Sequence, residues 1–586
     1  MASMSTTTFP SSACSFTNQG RRRRRSNSLP LKRTHLLPRI LSCKAHDENK
    51  QHHSESSTND SQDALKLDRR NMLMALGGAG LYGATATGQS ATANPIQPPD
   101  VSQCQPATGG GNPINCCPPS SSNTIIDFQL PSPSSPLRIR PAAHLVDNAY
   151  IQKYRTAVQL MRALPANDPR NFMQQANVHC AYCDGAYDQL GFPNLELQIH
   201  NCWLFFPWHR FYLYFHERIL AKLINDPTFA LPYWNWDAPA GMRMPSIYAT
   251  PTTSNSLYDA LRDAAHQPPA LIDLDYNLTD ENIPEQDQID QNLTIMYRQV
   301  VTNNTAQLFM GSPYRAGDAP NPGAGSMENV PHGPVHIWTG DRTQPNLEDM
   351  GTFYSAGRDP IFFAHHGNID RMWYLWQKYV AKKTQNFNDT DWLDAAFLFY
   401  DENARPVRVR VRDGLDNRLL RYTYQDVDIP WLTKRPTPKA SSAAARASFT
   451  EATFPINLTA AASVTVNRPR VGRSQAEKAA ETEMLVVDGI HLERDKPIKF
   501  DVYVNAPQYE GIRADASEFV GSFVNVPHTH GASDGQGVNM RTTLRLSITE
   551  PLEDLGVDGE RNIVVTLVPR MGSVVIDAIR VEYSAS

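Results

Sequence analysis

The segment from Asn177 to Glu217, NVHCAYCDGAYDQLGFPNLELQIHNCWLFFPWHRFYLYFHE, constrains the fold more than any other part of the chain. It carries four of the 17 histidines, His179, His200, His209 and His216, among Phe, Tyr and Trp side chains that belong in a protein interior. An imidazole held in apolar surroundings stays neutral, and a neutral imidazole is a metal ligand. One such histidine is ordinarily a core residue satisfied by a carbonyl, but four in one aromatic stretch ask for more. Spacing sorts them. With a helix running on from Pro207, which suits a first turn because it has no N–H to donate, His209 and His216 lie about 10 Å apart along one face. That is too far to share an ion, so one of the two is a bystander. His200 then reaches in from the loop before the helix, and His179 from an earlier element.

A second cluster answers the first. ENVPHGPVHIW places His332 and His336 at i and i+4, on one face of one helical turn. Downstream, RDPIFFAHHGNIDRMWYLW carries His365 and His366 on a helix whose start is marked by Asp359 and Pro360. Adjacent helical positions point about 100° apart, so only one of these two can face the same site.

Both motifs, in this order and at this separation, resemble those of plant polyphenol oxidase (catechol oxidase), a type-3 dicopper protein of the tyrosinase-like family, and the resemblance runs over roughly residues 94–586. It implies His179, His200 and His209 as ligands of one copper ion and His332, His336 and His366 as ligands of the other, with His216 and His365 as neighbours. Six imidazoles without a carboxylate suit copper better than iron, since di-iron bundles use Glu-x-x-His and bridging carboxylates. The implied fold is mainly α, a helical bundle holding the dicopper centre (94–435), followed by a C-terminal antiparallel β-sandwich (452–586) that covers it. The implied activity is oxidation of o-diphenols to o-quinones with reduction of O2 to water. A hemocyanin-like oxygen carrier and a specialised biosynthetic phenol oxidase are the alternatives.

The resemblance also assigns individual residues. Cys183 is expected in a thioether bond with His200. Glu328 matches a carboxylate that holds a water near the coppers and helps deprotonate a phenol, and Phe353 matches an aromatic that stands over the second copper and gates access. Gly333 and Ile337 occupy the positions directly after His332 and His336. The family arrangement for using monophenols has an Asn at the first of these, so little or no monophenol hydroxylation is expected. Asp370 and Arg371 read as structural partners, and Cys202 as packing.

From Asn94 to Pro136 the chain is rich in Pro, Ser, Gly and Asn, with few apolar side chains to bury, so an ordered segment here needs covalent staples. Cys104, Cys116, Cys117 and Cys180 allow three pairings, and the resemblance picks Cys104–Cys117 and Cys116–Cys180.

The two ends of the chain carry different signals. Residues 1–46 contain no Asp or Glu and include the run Arg21–Arg25, a composition that marks residues 1–68 as a chloroplast transit peptide. Arg69-Arg70, a short Gly-rich apolar run and Ala91-Thr92-Ala93 read as a twin-arginine signal over 69–93, too short to span a membrane. The expected address is the thylakoid lumen, with Tat-type export machinery and a processing protease as transient partners. The first 93 residues hold 13 of the 55 Lys+Arg and 6 of the 60 Asp+Glu, so the remainder is at −12. A chain of that charge has no general attraction for nucleic acid or anionic membranes, and its partners should be a small phenol and O2.

Residues 250–330 are polar and turn-rich and read as a long surface excursion, with chance sequons at Asn277 and Asn292. The stretch 436–451, with PTPKASSAAARASF at its start, is an exposed, cleavable linker. Beyond it, period-2 alternation marks strands at SVTVNRPRV, EMLVVDGIHL, IKFDVYVN, TTLRLSITE, NIVVTLVPR and VVIDAIRVEY, with the family's KFDV segment at Lys499–Val502.

Overall fold

Among the described residues the first domain holds six α-helices of seven or more residues: α1 (Asn148–Arg162), α2 (Phe172–Cys183), α3 (Phe205–Leu223), α4 (Glu285–Tyr297), α5 (Gly333–Thr339) and α6 (Ile361–Tyr379). The computed structural model describes residues 94–586 except 110–111, 120–123, 253, 382–386, 440–447, 532–537 and 586, so the two expected targeting segments and the middle of the expected linker lie outside the described residues. Side-chain caps start the first two helices, where Asp147 accepts from the Tyr150 N–H and Asn171 from the Met173 N–H. Helices α3 and α6 are apolar almost all round and pack together at the centre of the domain. Helix α3 begins two residues ahead of Pro207, which still lies in the first turn, where an N–H has no intrahelical partner. Helix α6 begins at Ile361, whose N–H donates to the Asp359 carboxylate at 2.8 Å. Among the described residues no helix is long and apolar enough to cross a membrane.

A buried ion network ties α3 to α6. Asp370 accepts from Arg210 at 2.6 Å, Arg140 at 3.1 Å, the Tyr422 hydroxyl at 2.6 Å and the Tyr424 hydroxyl. Arg140 also reaches Glu217 at 2.9 Å, and Arg371 meets Asp237 at 2.9 Å. Burial alone would raise the Asp370 pKa, but the Arg210 and Arg140 guanidiniums outweigh it and hold the carboxyl below its ordinary value. Removing one partner of such a pair leaves an uncompensated charge, at about 3–5 kcal/mol.

The stretch 250–330 is not a surface excursion. Residues 285–297 form α4, and Asn292 through Tyr297 are buried on it. Asn292 accepts from the Leu274 N–H and donates to the Ile272 carbonyl, so this sequon is enclosed in the folded domain. Both expected disulfides are present, Cys104–Cys117 and Cys116–Cys180. The second ties the Pro-rich N-terminal segment to α2, one residue beyond His179.

Among the described residues, eight strands form the sheets of the C-terminal domain: β1 (Ile456–Leu458), β2 (Ala462–Asn467), β3 (Glu481–Glu493), β4 (Ile498–Val504), β5 (Phe519–Asn525), β6 (Asn539–Ser547), β7 (Asn562–Met571) and β8 (Val574–Ala585). They form two antiparallel sheets, ordered β1-β8-β3-β6 and β2-β7-β4-β5. Val487, Leu485, Phe500, Val502, Val565 and Leu567 fill the space between them. The second sheet is buried on its other face as well. Tyr503, Phe519, Val524, Val526, Val568 and Met571 belong to the same apolar core as the helices. All seven residues of β4, and all seven of β5, are therefore enclosed. The KFDV segment supplies a polar lock at this junction, where Lys499 reaches Asp501 at 2.6 Å on its own strand and Asp275 of the helical domain at 3.2 Å.

Candidate metal centre

Helix α2 supplies His179, and its Nδ1 lies 3.1 Å from the Phe353 carbonyl. Helix α3 supplies His209, whose Nδ1 donates one turn back to the Phe205 carbonyl at 2.8 Å. His200 arrives from the loop between them, which is held by a buried amide. The Ile199 and His200 N–H groups donate to Gln198 Oε1, and Gln198 Nε2 donates to the Cys183 carbonyl at 2.9 Å. The ligand atoms these three histidines can offer lie within 4.8 Å of one another.

A second group, His332, His336, His365 and His366, is equally close-set. His332 Nδ1 lies 3.0 Å from the Glu328 carbonyl and His336 Nδ1 2.7 Å from the Met350 carbonyl. The Nε2 atoms of His336 and His366 stand 3.3 Å apart. The two groups adjoin, with the His209 and His366 rings stacked at 4.2 Å.

Burial pushes every one of these imidazoles toward the neutral form, to about 3 for His209 and about 4 for His336, and neighbouring imidazoles add to the effect. An Nδ1–H spent on a carbonyl leaves a neutral ring with its lone pair on Nε2. The buried Nε2 atoms of His179, His200, His209 and His332 have no hydrogen-bond partner in the protein. Two nitrogens about 2.0–2.1 Å from a tetrahedral ion lie about 3.3 Å apart, the separation seen between His336 and His366. Neutral nitrogen donors without a carboxylate fit copper.

His365 is the exception in its group. The Trp236 indole, which can only donate, points at His365 Nδ1 at 3.2 Å. A neutral His365 therefore carries its proton on Nε2 and has no lone pair there to offer a metal. His366 has no such constraint. His216 lies apart, stacked on Phe363 at 3.6 Å, with neither ring nitrogen hydrogen-bonded.

Three family models match the chain: the common central domain of tyrosinase over residues 169–379, the polyphenol oxidase middle domain over 386–437 and the chloroplastic polyphenol oxidase C-terminal domain over 454–583. The chloroplastic polyphenol oxidase of Malus domestica is 54% identical over 581 residues, 95% of each chain. The chain belongs to the plant polyphenol oxidase family. The chloroplastic (+)-larreatricin hydroxylase of Larrea tridentata is 49% identical over 562 residues, covering 93% of this chain and 94% of that one. The structure of latent apple tyrosinase superposes with a TM-score of 0.75 at 57% identity, covering 79% of this chain and all of the other.

In this chain the C-terminal domain lies over the histidines. The side chain of Asn329 pairs with β5 like a neighbouring strand: its Nδ2 donates to the Ser522 carbonyl and its Oδ1 accepts from the Val524 N–H at 2.8 Å. The Pro527 carbonyl accepts from the Phe353 N–H at 3.1 Å and from Thr352 Oγ1 at 3.0 Å. The Thr529 N–H donates to Asp184, and Arg494 meets Glu196 at 2.8 Å. The Phe353 ring lies nearer the first group than the second, where His336 is 6.4 Å away. Its ring is stacked on His200 of the first group at 4.0 Å, with His528 of the cover on its other face at 5.3 Å. Phe353 is fixed there because its backbone binds both His179 and Pro527.

Glu328 joins the two groups. Its carbonyl holds His332, and its Oε1 accepts from the Asn201 N–H at 2.6 Å, bracing the His200 loop. Burial pushes its carboxyl well above the ordinary range, against backbone N–H bonds that lower it. Its Oε2 has no hydrogen-bond partner in the protein. Gln198, Trp236, Asn329 and the segment Val524–Thr529 escaped the sequence reading, since no spacing rule links any of them to a histidine.

Proposed function

We propose that the chain is a latent o-diphenol oxidase of the thylakoid lumen that converts catechols to o-quinones and reduces O2 to water. His179, His200 and His209 hold one copper ion, and His332, His336 and His366 hold the other. The observation that carries this reading is the pair of neutral imidazole groups, buried and stacked against each other beneath a separate domain. When bound, the copper pair supplies two-electron exchange between a phenol and O2. The chain holds four of these ligands, His179, His209, His332 and His336, by their Nδ1–H groups and keeps bulk water out. Cys183 is fully buried, unpaired and tied through Gln198 to the His200 loop, which supports the thioether with His200. The names of the chloroplastic relatives and the Arg69-Arg70 signal support the address. Atomic absorption and catechol turnover on the processed protein test the reading, with two copper ions per chain and rapid quinone formation expected.

Substrate choice follows from proton chemistry. A simple phenol has a pKa near ~10 and is protonated at neutral pH, so hydroxylating it needs a correctly placed base. Glu328 could hold a water for that purpose, but Gly333 has no side chain to orient it and Ile337 is apolar. Activated enzyme is expected to oxidise catechol and dopamine readily, while tyramine shows a long lag or no reaction. The variant Gly333→Asn should raise the monophenol rate once the cover is removed. Equal initial rates on tyramine and dopamine in the parent would overturn this assignment. A second reading draws on the name of the Larrea relative, a hydroxylase at 49% identity: the chain would serve one biosynthetic phenol. A steady-state panel of mono- and diphenols separates the two.

A further inference from the structure

We propose that Gly333 is the seat of the covering domain: the side chain missing at this position leaves the space that Val524 occupies, and closure over the histidines depends on it. The inference rests on the reading of the C-terminal domain as a cover that suppresses activity.

The backbone gives no reason for a glycine here. Gly333 has φ −57° and ψ −54° at the start of α5, an ordinary helical conformation in which alanine is the better residue. The reason is space. A Cβ built at this position would lie 2.9 Å from Val524 Cγ1, 3.4 Å from Val524 Cβ and 3.5 Å from Val526 Cγ2. These three nearest atoms all belong to the cover, so the closest contacts a side chain at 333 would make are with it.

The strand cannot slide away to relieve such a contact. The Asn329 amide pins it on both sides of Phe523, and the Thr352 and Phe353 donors pin it again at Pro527. Nor can Val524 easily turn aside, because a β-branched side chain is stiff at χ1. Any side chain at 333 therefore lifts the segment that carries Val524, Val526 and, beyond Pro527, the His528 ring stacked on Phe353. The same glycine that deprives a monophenol of an oriented water is thus the one that lets the cover close. Changing it for substrate range changes latency with it.

The test uses the full chain as Gly333→Ala, as Val524→Ala and as the double variant. Two quantities are measured. One is the ratio of the intact catechol rate to the detergent-activated rate of the same variant. The other, independent of activity, is retention of the C-terminal fragment on gel filtration after the linker is cut, read as the protein concentration below which the fragment separates and compared with that of the cut parent. Overpacking a filled site by one methyl is expected to raise the Gly333→Ala ratio about tenfold and to release the fragment. Trimming Val524 in the double variant should bring both readouts back toward the parent. A Gly333→Ala chain as tightly closed as the parent, or a double variant no closer to the parent than Gly333→Ala, would overturn the proposal. A parent whose intact and activated rates are equal would instead overturn the latency reading, and fragment retention would still decide whether position 333 seats the domain.

Discussion

Replacing His336 with alanine is expected to take the metal content of the chain from two copper ions toward one and to abolish catechol oxidation. In the proposed assignment His336 is one of three ligands of its ion, with its Nε2 3.3 Å from that of His366, so its loss would leave that ion two ligands. His209→Ala should act alike on the other ion. The controls give this prediction its force. His216→Phe should keep both coppers, because that ring packs on Phe363 outside either group. His365→Phe should also keep both, although its ring lies in the second group, since Trp236 commits its Nδ1 as an acceptor. Atomic absorption finding two coppers and full activity in His336→Ala, or one copper in His365→Phe, would remove the ligand assignment.

That contrast shows how far the sequence is legible. Helical periodicity brings His332 and His336 to one face and excludes His216 from the partnership with His209, because both are matters of distance along one element. Periodicity cannot choose between His365 and His366, which are neighbours on α6. The physical choice is made by an indole in a loop more than a hundred residues upstream. The strands of the C-terminal domain with one face toward the sandwich interior announce themselves by alternation. Strand β5, FVGSFVN, does not: β4 is equally enclosed but alternates Lys499 and Asp501 with apolar residues, whereas β5 has no charge and holds Gly521 at φ +147°. Helix α4 was obscured in the same way by the polar run EQDQIDQN at its start, whose later residues turn inward.

The intact chain is expected to be nearly inactive and to be released by cleavage within 436–451 or by mild detergent, with copper content unchanged. Opening must expose Val524 and Val526, which are only 7% and 5% accessible, together with Phe519. At about 1.5–3 kcal/mol for each buried side chain of this size, even the two valines suffice for suppression by about 100-fold or more. Cutting the linker breaks none of these contacts. It removes the tether, and with it a local concentration in the ~mM range that otherwise returns the domain to its place after every opening. Release should therefore be more complete in dilute solution than in concentrated solution. Comparing catechol rates of intact and cut protein at equal copper loading checks this, and equal rates would show that the domain is no shield.

The amide of Asn329 takes the place of a missing strand at the border of the β2-β7-β4-β5 sheet, satisfying the Ser522 carbonyl and the Val524 N–H. Once the enzyme departs, that border is left with unpaired backbone groups along FVGSFVN, a segment with no charge and no proline. Natural proteins guard such borders with lysine, proline or a bulge, because a bare one recruits whatever strand comes next. Along these residues the domain has neither lysine nor proline, and its one irregularity is the shift in its pairing with β4 between Gly521 and Phe519. Its partner in the intact chain is the helical domain, so a fragment released by cleavage is expected to present this border to other strands, and concentration-dependent self-association of the fragment on gel filtration checks it.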